Sequence, residues 1–307
     1  MKDFVGRKTL TSKQAARLLG VSEASVKRWA EDGLLPAEKT AGGHRRFRPE
    51  DVAAFRRTKF GRGDGHLPQT DGAAGSASQN KHRRHATESR ELRAAMFESL
   101  VAGHAEEASA LLVNLHLHGH TVASIADGTL FPALQKIGDL WHAGELSIAQ
   151  EHIATRTALE ALQTLRGAIG SSESGEPTAI CCSVEDDFHE LPVHVAALVL
   201  EAGGWDTVTL GTSTPFYALA EAVLRFGPRL VCVASTVMGD LDRAAREYGG
   251  FREAAARVGA SVVLGGAGFA GEVLRQRFPA ELHADDFGQL EAFAPIVAGT
   301  HRRDGLS

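Results

Sequence analysis

Five short apolar runs alternate with helix-like stretches between residues 177 and 298, and no other feature of the chain limits its fold so strongly. Short runs rich in β-branched residues are typical of buried strands, and the stretches between them carry apolar residues at helical spacing. Strands separated by helices pair in parallel. The sequence therefore predicts a doubly wound α/β domain over residues 177–298, Rossmann-like and flavodoxin-like. The five runs are TAICCSV, WDTVTLG, RLVCVAS, SVVLGG and ELHADD.

A sheet of this kind binds ligands beyond the carboxyl ends of its strands. Asp187 and His189 follow the first predicted strand, and a carboxylate at that spacing can bind one ring nitrogen and strengthen the other as a metal ligand. Small residues that would leave an open slot follow the later strands. The residues predicted at this edge are Glu185, Asp186, Asp187, His189, Gly211, Thr212, Ser213, Thr214, Ser235, Thr236, Gly265 and Gly266.

Several other kinds of site lack their usual motifs. The first predicted strand is not followed by G-x-G-x-x-G, and the chain contains no G-x-x-x-x-G-K-[ST]. Dinucleotide binding and P-loop nucleotide binding therefore lose their main support. Cys181, Cys182 and Cys232 lie in strand-like runs without metal-ligand spacing, so we predict that they are small core residues.

Residues 88–172 read as four amphipathic helices with short connections, which predicts a four-helix bundle. The stretch WHAGELSIAQEH joins the third and fourth of these helices. It places Trp141 and His142 at the end of one helix and Glu151 and His152 near the start of the next. An indole, two imidazoles and a carboxylate at one turn make this stretch a candidate binding site.

Residues 1–58 carry the pattern of a winged helix-turn-helix. A Thr11-Ser12 cap opens a first helix, Ser22 opens a second, a Gly42-Gly43 turn follows in a predicted two-stranded wing, and Pro49 starts a third helix. Such a head places side chains of its second helix in the major groove and holds phosphates with its wing. We predict groove contacts from Ser25, Lys27 and Arg28, and backbone contacts from His44, Arg45, Arg46 and Arg48.

The charge distribution agrees with a DNA-binding head. Residues 1–62 contain 15 Lys and Arg against 7 Asp and Glu, although the whole chain has a net charge of −5. A basic N-terminal part attached to an acidic remainder is expected to bind a polyanion, and double-stranded DNA is the first candidate. Residues 59–87, rich in Gly, Ser and polar residues, have almost nothing to bury and are predicted to be a flexible linker.

No membrane segment is predicted, because the chain contains no run of about 18 or more apolar residues. The N-terminal MKDFVGRKTL lacks the apolar core of a secretory signal. We therefore expect a cytoplasmic protein.

The head resembles the MerR-type winged helix-turn-helix in the order of its helices, its Gly-Leu-Leu-Pro segment and its Gly-Gly wing. The sheet edge resembles the Asp-X-His, Ser-X-Leu and Gly-Gly pattern of base-off, His-on cobalamin-binding domains. This second resemblance implies that His189 is the lower axial cobalt ligand and that the displaced cofactor tail passes Ser235, Thr236, Gly265 and Gly266. Those domains usually have Gly three residues after the His, where this chain has Pro192, so we expect the loop to turn differently.

Trp141, nine intervening residues and then Glu151-His152 resemble the signature of light-responsive transcriptional repressors of the CarH and LitR type. The resemblance covers the whole chain in order: winged helix-turn-helix, linker, bundle and cobalamin fold. It implies that the bundle caps the upper face of adenosylcobalamin. Trp141 would stack on the 5′-deoxyadenosyl group beside Glu151 and His152, and His142 would become a possible upper ligand after photolysis.

The function implied is that of a repressor rather than an enzyme. The resemblance implies that an adenosylcobalamin-bound homo-oligomer, a tetramer in this family, binds operator DNA in the dark and releases it when light cleaves the cobalt–carbon bond. Two alternatives stay open: a MerR-type repressor that is independent of cobalamin or senses another ligand, and a corrinoid-carrying methyltransferase component. Methylcobalamin or a second chromophore also stays open as the ligand. The sequence does not decide whether Ser213 contacts the adenosyl group or caps a helix.

Overall fold

The computed structural model describes residues 9–19, 26–27, 29–30, 33–40, 45–49, 51–52, 55, 89–169 and 177–304. The chain divides into two compact units. The first contains Met1–His120 and Gly128–Gly170, and the second contains Thr121–Asp127 and Ser171–Ser307. The predicted linker, the Ser22 cap and the Gly42-Gly43 turn lie outside the described residues.

The described part of the head is built on three short strands and helical segments. Strand β1 (Leu10–Thr11) and strand β2 (Glu38–Lys39) both pair antiparallel with β3 (Arg45–Phe47), in the order β1-β3-β2. The predicted two-stranded wing was therefore incomplete, because the residues just before the first helix add a third strand. Val26, Leu35, Phe47 and Val52 are fully buried and form the core of the head.

The first helix of the head, α1 (Ser12–Leu19), begins with a reciprocal cap. The backbone N–H of Gln14 donates to Thr11 Oγ1 at 3.2 Å, and the backbone N–H of Thr11 donates to Gln14 Oε1 at 2.8 Å. This capping box satisfies two N–H groups that the first turn of a helix otherwise leaves without partners. The predicted cap at this position is confirmed.

The helical region, residues 89–169, contains four long helical stretches, as predicted. They are α2 (residues 89–101), α3 (Ala105–Leu117), α5 (Phe131–His142) and α6 (Ile148–Ile169). The third predicted helix is interrupted, because α4 (Val122–Ile125) passes into a π-helical turn, Ala126–Leu130, before α5 begins.

Proline accounts for this interruption. Pro132 lies in the first turn of α5 and has no N–H to donate to the carbonyl of Gly128, four residues earlier. Arg93 Nε from α2 donates to that carbonyl instead, at 2.7 Å. The apolar spacing predicted one helix over this stretch, and the chain is helical from Val122 to His142, but the π-helical turn within it was not predicted.

The second unit contains the predicted parallel sheet. Its five strands are β4 (Thr178–Val184), β5 (Asp206–Thr214), β6 (Leu230–Ala234), β7 (Ser261–Gly265) and β8 (Leu282–Ala284). They pair in the order β5-β4-β6-β7-β8, all parallel, which confirms the doubly wound, flavodoxin-like prediction. The helices of this unit are α7 (Leu191–Ala202), α8 (Phe216–Phe226), α9 (Leu241–Val258), α10 (Glu272–Arg277) and α11 (Phe287–Asp304).

Large apolar side chains fill one side of this sheet. The rings of Phe216, Tyr248, Phe251, Phe269 and Phe278 pack against one another and against the buried side chains of the strands. Burial on this scale is the main source of folding free energy.

The three cysteines are buried within the strands. Burial raises the pKa of the Cys182 thiol well above its usual range, which favours the protonated and unreactive form. The prediction of core cysteines is confirmed.

One predicted loop is part of a strand instead. Residues 211–214 were expected to follow the second strand, but they belong to β5, where the pairing register with β4 shifts twice. Gly211 and Ser213 have φ angles of 86° and 52°, in the left-handed region. Because β5 lies at the edge of the sheet and is hydrogen-bonded on one side only, it can accommodate this irregularity.

Among the described residues, no helix has the length and apolarity needed to cross a membrane.

Candidate functional site

His189 lies at the edge of the sheet where ligand binding was predicted. It is in the loop between β4 and α7, two residues before α7 begins. Its Nδ1 lies 2.6 Å from Asp187 Oδ1, and its backbone N–H donates to the same oxygen at 3.0 Å. A carboxylate at Nδ1 favours the tautomer with the proton on that nitrogen, which leaves a lone pair on Nε2. The His189 side chain is 56% exposed, so the imidazole is accessible.

Asp187 is buried, with 1% of its side chain exposed, and it is the centre of this arrangement. Its second oxygen, Oδ2, accepts a hydrogen bond from the backbone N–H of Thr236 at 2.5 Å. A buried carboxylate is costly unless hydrogen bonds compensate it, and in this loop the donors come from two different segments of the chain. The structure therefore brings together three of the predicted residues: Asp187, His189 and Thr236.

The ends of β6 and β7 are packed against each other through glycine. Ser235 is fully buried, its N–H donates to the carbonyl of Gly265 at 2.9 Å, and its own carbonyl accepts from the N–H of Gly268 at 2.8 Å. A Cβ atom on Gly266 would lie 2.4 Å from the carbonyl oxygen of Ser235, and one on Gly268 would lie 2.0 Å from its Oγ. Glycine is required at both positions, so the surface formed by the loops after β6 and β7 consists largely of backbone atoms.

Ser213 makes no helix cap, which was one of the two roles left open. Its Oγ accepts a hydrogen bond from the backbone N–H of Asp186 at 3.1 Å. Its own N–H donates to Ser183 Oγ at 3.1 Å and to the carbonyl of Asp187 at 3.0 Å. The irregular end of β5 is thus bonded directly to the loop that carries His189.

Two residues of this edge were not predicted from the sequence. Ser183 occupies a buried strand position in which only its polarity distinguished it from the apolar residues around it. Gly268 completes the sequence Gly265-Gly266-Ala267-Gly268, and this run of small residues was the signal that could have found it.

Pro192 is accommodated in the first turn of α7. The first N–H groups of a helix have no partner within the helix, so proline costs little there. The loop with His189 therefore passes directly into a helix at the position where the resembling domains usually have glycine.

The second group of predicted cofactor residues lies in the helical region, and its first pair is Trp141 with His142 at the end of α5. Their ring centroids lie 4.6 Å apart at an angle of 48°. Trp141 is 40% exposed, a large value for an indole. The helix ends through Gly144, which has a φ of 76° and donates its N–H to the carbonyl of Trp141.

The other pair is Glu151 with His152 in the first turns of α6. Ser147 and Gln150 form a reciprocal cap that starts this helix. Glu151 Oε1 accepts a hydrogen bond from Thr155 Oγ1 at 2.9 Å, whereas its Oε2 lies 3.6 Å from His152 Nε2. Glu151 is therefore fixed from within its own helix, while 70% of the His152 side chain is exposed.

The predicted DNA-contacting residues are described only in part. Lys27 is exposed on a helical segment, and Arg45 and Arg46 lie on β3. Arg48 forms an ion pair with Glu38 of β2, with 2.7 Å between Nη2 and Oε1. Ser25, Arg28 and His44 lie outside the described residues.

Comparison with known families identifies two parts of the chain. A helix-turn-helix domain model matches residues 9–59, and a B12 binding domain model matches residues 92–166. The second match covers most of the helical region that contains Trp141 and Glu151.

Two curated relatives are similar in sequence to large or small parts of the chain. The chain is 29% identical over 237 residues to the HTH-type transcriptional repressor CarH of Myxococcus xanthus, a match that covers 71% of this chain and 75% of CarH. It is 53% identical over 47 residues to the transcriptional repressor DcmR of Methylorubrum extorquens, which covers 15% of this chain and 18% of DcmR. Both are repressors, which agrees with the prediction of a regulator rather than an enzyme.

Among solved structures, the monomethylamine corrinoid protein of Methanosarcina barkeri has a similar fold. The TM-score is 0.57 at 17% sequence identity, and the match covers 68% of this chain and 99% of the other. The chain thus combines an N-terminal helix-turn-helix domain, a helical region that matches a B12 binding domain and a Rossmann-like parallel sheet.

Proposed function

We propose that this CarH homologue is a light-responsive transcriptional repressor that binds operator DNA as an adenosylcobalamin-loaded oligomer in darkness and releases it on illumination. The helix-turn-helix match and the B12 binding match support the two halves of this proposal. The 29% identity to CarH, over 71% of this chain, supports the proposal further.

The observation that carries the proposal is the pairing of His189 with Asp187. An exposed imidazole whose Nδ1 is held by a buried carboxylate presents Nε2 as a metal ligand, and this donor fits the lower face of a cobalt corrinoid. Adenosylcobalamin would supply, when bound, a cobalt atom that an imidazole can coordinate in place of the cofactor's own base, and a cobalt–carbon bond that light breaks. His189 is the proposed lower axial ligand.

The ends of β6 and β7 fit the remainder of such a cofactor. Ser235, Thr236, Gly265 and Gly266 present small side chains or backbone, and Gly268 allows the two loops to lie close together. A long, polar substituent needs a smooth wall with few projecting side chains. These residues are therefore proposed to line the path of the cofactor tail.

The residues of the helical region are proposed to contact the adenosyl group. An indole that is 40% exposed has an apolar face available for stacking on a nucleobase, which is worth roughly 1–3 kcal/mol per base. Glu151 and His152 would donate or accept hydrogen bonds beside it. After illumination, His142 would be available as a second axial imidazole.

DNA binding is assigned to the head. Lys27, with Ser25 and Arg28, is proposed to enter the major groove, and Arg45, Arg46 and Arg48, with His44, to hold phosphates. Several heads in one oligomer would bind one operator with a raised effective concentration, so dissociation of the oligomer would release the DNA. By resemblance, the dark oligomer is proposed to be a tetramer.

A direct test uses the full chain loaded with adenosylcobalamin in darkness. DNA fragments are selected from a random library with this protein, and size-exclusion chromatography and gel shifts are then run in darkness and after illumination. We expect a larger species and tight DNA binding only in darkness. Cofactor-free and methylcobalamin-loaded protein are the controls. Equal oligomeric state and DNA affinity before and after light would refute the switch.

A further inference from the structure

We propose that Ser183 and Ser213 are positioning residues for His189. Neither side chain touches the imidazole. Together they hold the loop that contains Asp187, and the carboxylate of Asp187 orients the imidazole of His189. We call Ser183 and Ser213 the serine brace. The proposal rests on the proposed function in so far as His189 is the axial ligand, but the brace itself can be tested in the protein without cofactor.

The brace connects two strands to one loop through four hydrogen bonds. Ser183 Oγ of β4 donates to the carbonyl of Asp187 at 2.7 Å and accepts from the N–H of Ser213 at 3.1 Å. The N–H of Ser213 is shared with the carbonyl of Asp187, and Ser213 Oγ accepts from the N–H of Asp186. Ser183 is fully buried, so its hydroxyl has no access to water as an alternative partner.

The backbone at the serine brace has positive φ angles, which would favour glycine, so the presence of serine at position 213 needs an explanation. Ser213 and Asp186 are the described residues other than glycine with a positive φ, at 52° and 64°. Left-handed backbone favours glycine, because other residues meet steric repulsion there. Glycine at position 213 would relieve that repulsion but could not accept the hydrogen bond from Asp186. We infer that the hydroxyl is what serine contributes at this position.

The effect on His189 passes through Asp187. The carbonyl of Asp187 is held by the brace, while its carboxylate receives the N–H groups of His189 and Thr236. The backbone and side chain of one residue are thus fixed from opposite sides. Without the brace only the hydrogen bonds to the carboxylate itself would hold Asp187, and the imidazole would be held less strictly in one tautomer and orientation.

The test compares Ser213→Gly, Ser183→Ala and the double variant with two matched controls. Asp186→Gly removes the positive-φ side chain but keeps the N–H that donates to Ser213. Thr209→Ala removes a hydroxyl from an exposed residue of β5, four residues before Ser213. Thermal unfolding shows which variants remain folded, and Ser213→Gly retains a backbone suited to its conformation, so the test does not depend on Ser183→Ala alone.

The first readout needs no cofactor. Two-bond ¹H–¹⁵N correlation spectra of protein labelled with ¹⁵N-histidine report which nitrogen of His189 carries the proton. We expect the Nδ1-protonated tautomer in the wild type and both controls, and a mixture of tautomers in the brace variants. The second readout is cobalamin affinity from visible spectra, expected to fall roughly tenfold in each brace variant and further in the double variant, as for other partners that support a metal ligand.

The two readouts separate the brace from the proposed function. If the wild type does not bind cobalamin, the proposed function fails. The tautomer of His189 in the cofactor-free protein then still shows whether the serine brace positions the imidazole. If the folded brace variants keep the wild-type tautomer and bind cobalamin within twofold of the wild type, the brace proposal is wrong. A loss of the same size in Thr209→Ala would also overturn it, because the effect would then not belong to these two hydroxyls.

Discussion

The two groups of proposed cofactor residues differ in how firmly the protein holds them. At the sheet, the His189 imidazole is fixed by a buried carboxylate that is itself bonded to another loop. In the helical region, the Trp141 ring packs against the ring of His142, and His152 Nε2 lies 3.6 Å from Glu151 Oε2, so each contact is with the neighbouring residue in the chain.

This difference agrees with two different tasks. A permanent metal ligand benefits from preorganisation, because the cost of orienting it is met during folding rather than on binding. A group that must respond when its partner leaves benefits from a small number of internal contacts, since those contacts do not oppose the change. The residues at the sheet, Asp187, His189 and Thr236, which we call the sheet group, therefore suit anchoring. The residues of the helical region, Trp141, His142, Glu151 and His152, which we call the helical group, suit sensing.

Replacing His189 with Ala is expected to have the largest effect on binding. Losing the ligand itself should weaken cobalamin binding by more than about 100-fold, because losing a supporting partner alone typically costs roughly 10–100-fold. Equilibrium dialysis in darkness measures it. His194→Ala, which removes another partly exposed histidine from α7, is the control. Similar losses in the two variants would mean that the sheet group does not anchor the cofactor.

Asp187→Asn should come next. The amide keeps the size of the side chain but cannot accept hydrogen bonds from three N–H groups as a carboxylate does. We expect cobalamin binding to weaken roughly 10–100-fold. Glu190→Gln removes a nearby carboxylate and should change affinity less than twofold, as titration followed by absorbance would show. An unchanged affinity in Asp187→Asn would contradict the preorganised anchor.

Trp141→Ala should change selectivity rather than anchoring. Loss of stacking is expected to weaken adenosylcobalamin binding about tenfold while hydroxocobalamin, which lacks the adenosyl group, binds as in the wild type. Parallel titrations with the two cobalamins in darkness measure the difference. Trp141→Phe keeps an aromatic face and should recover most of it. An equal loss for both cobalamins would assign Trp141 to packing of the helical region instead of sensing.

The smallest expected effect concerns stability of the sheet unit away from both groups. Glu281 receives two hydrogen bonds from Arg252 and one from the N–H of Val262, and the hydrogen bonds from Arg252 lower the pKa of its carboxyl. Both side chains are partly exposed, so solvent screening limits the contribution to about 1 kcal/mol.

A lowered pKa in the folded state fixes the sign of the pH dependence. The contribution of Glu281 is complete above the ordinary glutamate pKa of about 4.3 and is lost as the pH falls through the lower pKa of the folded protein. Urea unfolding between neutral and acidic pH should show Glu281→Gln less stable at neutral pH and equal to the wild type in acid. Cobalamin affinity should not change, and a change would mean that the anchor depends on the whole unit.

The sequence predicted regular features of the fold better than irregular ones. Strand and helix periodicity predicted the five parallel strands, and the Thr11 cap and the buried cysteines followed from residue type. The π-helical turn was missed because its cause, Pro132 with Arg93 bonded to the Gly128 carbonyl, involves a partner 35 residues away. The bulged end of β5 was missed because Gly and Ser also signal loops.

The same distinction holds for the candidate site. Asp187 and His189 were found because their spacing carries chemistry that can be read locally. Ser183 was not found, since its partners Asp187 and Ser213 come together only when β4 and β5 pair. Residues that act by positioning other residues are difficult to predict from one sequence, because their contacts form only in the folded chain.

The central claim, that the His189 imidazole binds cobalt, is tested most directly by electron paramagnetic resonance of the reduced, cobalt(II) form of the bound cofactor. With unlabelled protein, an axial nitrogen splits the cobalt lines into triplets. Growing the protein with ¹⁵N-histidine should convert these triplets to doublets, and His189→Ala should abolish the conversion. Triplets that persist in the ¹⁵N-labelled wild type would show that the cofactor keeps its own base, and His189 would then not be the cobalt ligand.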